Sequence, residues 1–297
     1  MDLKDYREKI DAIDAELMRL FTERMDLATE IARYKADNGL SVLDATRERE
    51  KLLAISDMTR PELGDYAVNL YMLLFELSRC QQNRAIGKQS RLADDIAAAL
   101  ENTPRLFPER ATVACQGEEG SLSQTACERL FKLPNEFFFS SYEAVFSAIE
   151  KGLCQYGVLP LENSTAGSVN AVYDLMMRYN FRIVRSVRLK VGEEGSFTRF
   201  ICIARNLEIY PGADRTSLMM VLPHKPGSLY KVLSRFYALG INLNKLESRP
   251  MPERNFEFRF YFDLENSVYS PSFLQLMGEL EDICEEYDYL GSYSEVL

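Results

Sequence analysis

The chain has 297 residues, 46% of them apolar and 27% charged, and carries a net charge of −10 at neutral pH. That is the composition of a folded chain long enough for two or three domains. The acidic balance, with basic residues scattered rather than in runs, argues against a nucleic-acid or anionic-membrane surface.

Six cysteines, at 80, 115, 127, 154, 202 and 284, show no C-x-x-C spacing, and the one histidine, His224, sits in the turn Leu222-Pro223-His224-Lys225-Pro226. A zinc site and a Ser-His-Asp or Cys-His machine are therefore not expected, and the thiols are expected to be reduced, mostly buried small residues. No metal and no cofactor are called for. The opening residues carry no signal-peptide pattern, and no apolar stretch is long enough to span a bilayer, so the expected location is the cytoplasm.

The first predicted element is a helix over Tyr6 to Lys35. Leu3, Ile10, Leu17 and Ile31 fall on one heptad position and Tyr6, Ile13, Leu20, Leu27 and Tyr34 on the other, the seam of a helix packed along its length. Arg24 sits on that seam, where an unpaired charge would cost several kcal/mol unless it snorkels to water or meets an anion. Lys35 lies eleven residues on, about 20° round the axis and roughly 16 Å along it, so the two cations can lean toward one pocket. Arg7 lies roughly 25 Å back and about 100° round. It can join that pocket only from a second copy of the chain. A helix about 45 Å long needs more cover than one short partner supplies, which also points to a helical dimer. Solvation or nearby salt bridges would account for Arg7 and Lys35 taken singly; they do not account for Arg24.

Asn38-Gly39 stops this helix, and Asp44 caps a second running to about Ser56. Thr59-Arg60-Pro61-Glu62 opens a third, with Leu70, Leu73, Leu74 and Leu77 on one face and Ser78 and Gln82 extending the row. Three helices thus turn polar groups inward: Arg24 and Lys35, Arg47 and Glu48, Ser78 and Gln82.

On Arg7-Glu8-Lys9-Ile10-Asp11, Glu23-Arg24, Tyr34-Lys35, Asp44-x-x-Arg47-Glu48 and Ser78-x-x-x-Gln82, residues 1–87 resemble the all-helical chorismate mutases. The resemblance implies that Arg24 and the other copy's Arg7 hold the substrate's carboxylates and that Lys35 and Gln82 donate to its ether oxygen. Arg47 and Glu48 would fix the hydroxyl side, Ser78 the ring carboxylate or hydroxyl, and Asp44 would orient its neighbours. The chemistry is compatible, since the rearrangement of chorismate to prephenate is unimolecular and needs a held conformer and a stabilised ether oxygen, not a nucleophile or metal.

Residues 88–110, polar and Ala-rich and ending in Thr103-Pro104 and Phe107-Pro108, read as a linker helix. A β/α pattern follows: strand Ala111 to Cys115, the glycine turn Gln116-Gly117-Glu118-Glu119-Gly120-Ser121, helix Ser123 to Phe131, strand Glu136 to Phe139 and helix Ser141 to Lys151. The glycine turn could bind an anion at the helix start or merely turn the chain. It lacks the spacing of a P-loop or dinucleotide fingerprint. Next comes Tyr156-Gly157-Val158-Leu159-Pro160-Leu161 running into Glu162-Asn163-Ser164-Thr165-Ala166-Gly167-Ser168-Val169. With the glycine turn and Thr198-Arg199-Phe200, this resembles prephenate dehydratase, whose periplasmic-binding-protein-like fold has two α/β lobes around the active-site cleft.

That resemblance implies Thr198 as proton donor near the ring hydroxyl, with Glu162, Asn163, Ser164 and Thr165 lining the cleft. Here, however, Arg182 to Val191 joins Ser196 to Ile201 through only Gly192-Glu193-Glu194-Gly195, the pattern of a β-hairpin. The second lobe is expected to be missing, leaving residues 111–207 as one lobe. A site with one wall cannot close around substrate, so dehydratase activity is expected to be absent or weak. Thr198 is then equally a plain strand threonine.

Residues 214–297 read strand, helix, strand, strand, helix, strand: Leu218 to Leu222, Gly227 to Leu239, Ile241 to Ser248, Phe256 to Leu264, Pro271 to Glu286 and Tyr287 to Tyr293, a ferredoxin-like βαββαβ order. Pro226-Gly227-Ser228-Leu229 and Glu247-Ser248-Arg249-Pro250 resemble the ACT regulatory domain of phenylalanine-sensing enzymes. Gly227, Ser228, Leu229, Glu247, Ser248, Arg249 and Pro250 would then line a phenylalanine pocket, although Gly227 alone equally suits a loop turning into a helix.

The expected architecture is therefore multidomain α and α+β: a helical mutase bundle, one dehydratase-type lobe and an ACT domain. The favoured function is a homodimeric or larger chorismate mutase with an impaired dehydratase lobe and L-phenylalanine as effector. The alternatives are a working bifunctional enzyme that also takes prephenate, and a non-catalytic phenylalanine-sensing subunit. No nucleic acid or membrane partner is expected.

Overall fold

The helical part begins with α1 (Leu3–Asp37), opened by a capping box in which the Asp2 side chain accepts from the amides of Lys4 and Asp5 while Asp5 returns the bond to Asp2. Asp44 caps α2 (Ala45–Asp57) through the Arg47 amide at 2.9 Å. Pro61 opens a short 3₁₀ turn (Pro61–Leu63) that leads into α3 (Gly64–Ala85). α3 packs against both α1 and α2. The α1 residues buried in doing so, Ala28 and Ala32, are small and lie in its C-terminal third.

This computed structural model describes residues 2–87, 90–191, 195–251, 254, 257–281 and 283–296. Of the expectations above, the turn residues Gly192, Glu193 and Glu194, Lys88 and Gln89 of the linker, Phe256 and Asp282 lie outside the described residues. The chain divides into two compact units, Met1–Gln89 and Ser90–Leu297.

The heptad seam is not covered along its length within the chain: Leu3, Ile13 and Ile31 remain 66%, 63% and 48% exposed, and Ile10, Leu17, Leu20 and Leu27 are exposed as well. A single α3 of 22 residues crossing a 35-residue helix has too little surface to bury it.

The second unit opens with α4 (Arg91–Asn102), capped by Ser90. The segment expected to be a linker is instead a packed amphipathic element. Ile96 is fully buried and Ala99 nearly so, both in one cluster with Phe273, Leu276, Met277 and Leu280. Its Ala-rich stripe lets it lie close on a neighbouring helix.

The lobe consists of β1 (Arg110–Gln116), α5 (Leu122–Leu130), β2 (Leu133–Phe139), α6 (Tyr142–Glu150), β3 (Tyr156–Asn163), the two-residue β4 (Gly167–Ser168), α7 (Asn170–Tyr179), β5 (Arg182–Val191) and β6 (Ser196–Ala204). Helix α7, which follows the Glu162–Val169 motif directly, was not anticipated from the sequence. β5 and β6 form the expected antiparallel hairpin, with Val191 opposite Ser196. Gly157 on β3 has no room for a side chain, since a Cβ there would meet Ile149 at 2.7 Å and Val145 at 2.9 Å.

The last part is β7 (Arg215–Val221), α8 (Ser228–Ala238), β8 (Asn242–Pro250), β9 (Phe258–Glu265), α9 (Pro271–Glu281) and β10 (Glu286–Val296). Helix α9 ends five residues earlier than expected, because the Glu285 amide already bonds to the Val221 carbonyl at 2.8 Å and commits the chain to the sheet. The strands run β10-β7-β9-β8, the ferredoxin-like arrangement, with α8 and α9 supplying Val232, Phe236, Phe273 and Leu276 to one face.

The sequence suggests a boundary between residues 207 and 214, but one sheet of order β2-β1-β3-β6-β5-β10-β7-β9-β8 crosses it. Strand β10 is antiparallel to β7 along its first part and parallel to β5 at its end, where Ser294, Glu295 and Val296 face Arg185, Ser186 and Val187. Gly291, at φ 137°, sits at the crossing; a Cβ there would lie 2.3 Å from the Ile183 carbonyl oxygen. The second face of the ferredoxin-like sheet packs on the lobe, with Met219, Tyr261, Leu290 and Tyr293 joining Val172, Tyr173 and Met176 of α7 in one core. No helix among the described residues is long and apolar enough to cross a membrane.

Candidate functional sites

In the helical unit α1 and α3 bring Arg24 and Ser78 together. The Arg24 guanidinium donates to the Ser78 hydroxyl and to the Leu74 carbonyl at 3.1 Å, and lies 5.9 Å from the centre of the Phe75 ring. Burial pulls its pKa below the usual arginine range, and no carboxylate partners it among the described residues. One turn beyond Ser78, Gln82 is buried, and its Oε1 has no hydrogen-bond partner. Glu48, on α2, accepts from Arg79 of α3, which also lies 3.9 Å from the buried Glu76.

Lys35 is half-buried and donates to the Val42 carbonyl at 2.6 Å, so in this chain it is turned onto the α1–α2 connection. Asp44 is committed to its capping bond, and Arg47 is exposed, 4.0 Å from Glu50. Arg7 is exposed near the start of α1. The chain thus gathers Arg24, Ser78 and Gln82 on one inward row and does not bring Arg7 to it. Arg79, the partner of Glu48, escaped notice in the sequence because two residues 31 apart on different helices leave no local pattern.

In the second unit, strand alternation sorts the dehydratase-type residues onto two faces. On one face Asn163 donates to Thr198 at 2.9 Å and to Ser196 at 3.1 Å, while its Oδ1 accepts from the amides of Thr165 and Ala166, both at 2.9 Å. The Ser164 hydroxyl accepts from the Phe197 amide at 2.9 Å and lies 3.5 Å from Ser196. Thr198 is itself buried. The result is a knot of amide and hydroxyl groups at the end of the β5–β6 hairpin where Val191 faces Ser196.

Glu162 does not line that cluster, contrary to expectation, because its side chain leaves the other face of β3. There it pairs with Arg199 at 2.7 Å and with Lys245 at 2.9 Å. Arg199 also pairs with Asp263, whose second oxygen accepts from Ser217 at 2.5 Å. Lys245 further donates to Ser168 at 2.6 Å and Tyr173 at 2.9 Å, and lies 3.2 Å from Glu247. Burial works most strongly against the Arg199 charge, yet its neighbours together, Asp263 first and then Tyr293, Glu162 and Tyr173, outweigh it and hold the pKa above the ordinary value. Burial raises the Tyr173 phenol and keeps it protonated. Lys245 and Asp263 were missed in the sequence: one lies within a strand of alternating polarity, the other in an apolar one, and only the folded sheet sets them against Glu162 and Arg199.

The phenylalanine-type motifs are likewise split by alternation. Glu247 accepts from Ser168, and Arg249 pairs with Asp174 of α7 at 3.0 Å, both on the face toward the lobe. Ser248 and Pro250 are exposed on the alternate positions. Gly227, at φ 84°, supplies the left-handed entry to α8, and no side chain caps the first-turn amides of that helix, which include Ser228 and Leu229.

The sequence model of the type II chorismate mutases matches residues 6–83, and that of prephenate dehydratase matches residues 113–194. A bifunctional chorismate mutase/prephenate dehydratase of Aquifex aeolicus is 24% identical, the alignment covering 100% of this chain and 99% of that protein. It extends over 382 positions against 297 residues here, so about 85 positions of that relative, the difference, have no counterpart in this chain. Among solved structures, the prephenate dehydratase of Streptococcus mutans is 28% identical with a TM-score of 0.55, covering 63% of this chain and 99% of that one. GqqA, described as a quorum quenching acylase, is 26% identical with a TM-score of 0.56, covering 61% and 94%. The chain thus carries a type II chorismate mutase domain on α1–α3 and a prephenate dehydratase domain from β1 to β5, the two domains for which the bifunctional Aquifex protein is named.

Proposed function

We propose that the chain works chiefly as a chorismate mutase, with each active site completed by a second copy. The observation that carries this reading is Arg24, a half-buried guanidinium with no carboxylate partner among the described residues, bonded to Ser78 on the α3 row that Gln82 extends. A dianionic substrate would neutralise it and repay its burial. The exposed seam of α1 supports the second copy, because a contiguous apolar stripe of that length is a surface to be covered. A copy laid along it can deliver Arg7 to the second carboxylate.

Catalysis then consists of holding the compact conformer between the arginines and meeting charge on the ether oxygen as the C–O bond breaks. Gln82, buried one turn from Ser78, is placed to donate there through its amide nitrogen. Lys35 reaches the same oxygen by exchanging the Val42 carbonyl for it. Glu48, oriented by Arg79, takes the hydroxyl side with Arg47, and Asp44 fixes the start of α2 that carries them.

For the dehydratase domain we infer weak or absent turnover. The direct β5–β6 hairpin, the unmatched positions against the Aquifex relative, and the capture of Glu162 and Arg199 in buried ion pairs all favour a role in packing for that strand pair. Asn163, Ser164, Thr165 and Thr198 remain able to hydrogen-bond a polar ligand, but on an open surface. The C-terminal ferredoxin-like part is inferred to be an ACT-type phenylalanine site, with first-turn amides of α8 that no side chain caps available for the carboxylate and the Ser228 amide shared with the Lys225 carbonyl.

Parallel assays on chorismate and on prephenate test this. Rapid chorismate loss with little phenylpyruvate is expected. Efficient phenylpyruvate formation from prephenate would overturn the inference for the dehydratase, and no chorismate turnover would overturn the main proposal. Calorimetry with phenylalanine, expected to give saturable heat, tests the effector site.

A further inference from the structure

We propose that Cys115, Cys127 and Glu136 form a binding site for one zinc ion inside the α/β lobe. Cys115 stands on β1, Cys127 on α5 and Glu136 on β2, and their two sulfurs and a carboxylate oxygen all lie within 4.8 Å of one another. Tetrahedral zinc, with bonds of about 2.3 Å to sulfur and 2.0–2.2 Å to oxygen, sets its ligands about 3.5–3.8 Å apart. The three groups therefore need to draw in by about 1.3 Å at most.

A second observation is independent of that proximity. Oε1 of Glu136 is buried and meets no nitrogen or hydroxyl donor among the described residues, its carboxylate facing only the Cys127 thiol on that side, while Oε2 accepts from Gln124 Nε2 at 3.0 Å. Gln124 is itself held, its Oε1 accepting from the Gly120 amide at 2.7 Å. A carboxylate fixed through one oxygen and set within 4.8 Å of two thiol sulfurs has the arrangement of a ligand oriented by its outer shell. A buried acceptor left unmet would otherwise cost about 1–3 kcal/mol.

Two thiolates and one carboxylate suit a borderline-soft ion and disfavour magnesium or calcium. The binding step balances without any redox partner. Two S–H bonds break, two Zn–S bonds and one Zn–O bond form, two protons leave to solvent, and a water completes the tetrahedron. Its consequence is to clamp α5 onto the β1–β2 pair. The spacing between the cysteines, with Glu136 on a third element, conceals this set from any reading by short motif.

The test uses the full-length protein, reduced, stripped with chelator and titrated with cobalt(II) and then with zinc. One ion per chain is expected, with a thiolate-to-cobalt charge-transfer band that zinc abolishes and release of about two protons per zinc. Gln124→Ala should weaken binding about tenfold and Cys127→Ser by more than about 100-fold, while Cys284→Ser should bind as the parent does. Because Cys127 is fully buried, Glu136→Gln provides a second variant, expected to lose at least about tenfold with its fold intact. Cobalt binding without the thiolate band, equal affinity in parent and Glu136→Gln, or a Cys115–Cys127 disulfide forming in preference to metal uptake would each overturn the proposal.

Discussion

Arg24 and Arg199 are both drawn out of water, and they are provided for in opposite ways. Arg199 meets Glu162 at 2.7 Å and Asp263, so its charge is matched from within the chain. Among the described residues Arg24 meets a hydroxyl, a carbonyl and a ring face and no carboxylate. The expected mutant phenotypes diverge accordingly. Arg199→Ala should lower unfolding stability by about 3–5 kcal/mol, because it strands two carboxylates. Arg24→Ala should leave the melting temperature unchanged or raised and cut mutase kcat/KM by about 100-fold or more, as measured by chorismate loss beside calorimetric scans. Lys35→Ala should lower turnover more than it raises KM, since its contact strengthens as charge develops. Asp288 provides a pH test. Burial raises its pKa above 3.8 despite Arg182 and Arg259, so its charged form is disfavoured in the folded state. A raised carboxyl contributes stability below the unfolded pKa and loses it as pH rises through the folded value. Asp288→Asn should therefore stabilise the protein to urea at pH 7, and the gain should vanish below about pH 3.8.

Among the elements, α1 carries the most direct experiment. If Arg7 of one copy serves Arg24 of the other, Arg7→Ala and Arg24→Ala proteins are each inactive, yet a refolded equimolar mixture should regain about a quarter of parental activity, from one intact site in each mixed dimer. Ile13→Asp should give monomers by sedimentation and abolish turnover. The elements also mark how far the sequence could be read. Long periodic helices and alternating strands were legible because their periods are local, and the Ser78–Gln82 pair was legible because i, i+4 spacing on α3 is local too, whereas the meeting of Arg24 on α1 with Ser78 spans two helices and leaves no local pattern. α7 was not, being a ten-residue helix that follows a distinctive motif without a break. The packing of α4 was not either, because Ile96 is an interior residue only once α9 is in place. The same limit separated Glu162 from Asn163: two neighbours in a motif look like one site, whereas a strand sends them to opposite faces.

For the whole molecule, the parts named by motif are not the parts that fold together. The dehydratase-type lobe and the ferredoxin-like region meet through a buried set of charges, Glu162, Arg199, Lys245 and Asp263, in which no member is dispensable without stranding another. Any phenylalanine effect must therefore act on a unit in which Glu247 and Arg249 are already tied to Ser168 and Asp174. Strand β10 carries the point further, as a rail paired with β5 on one side and β7 on the other, bent past Ile183 at a glycine that nothing larger can replace. A protease cut between Asn206 and Asp214 would sever the backbone without freeing either piece. The nicked chain should migrate as one particle on a native gel and come apart only in denaturant.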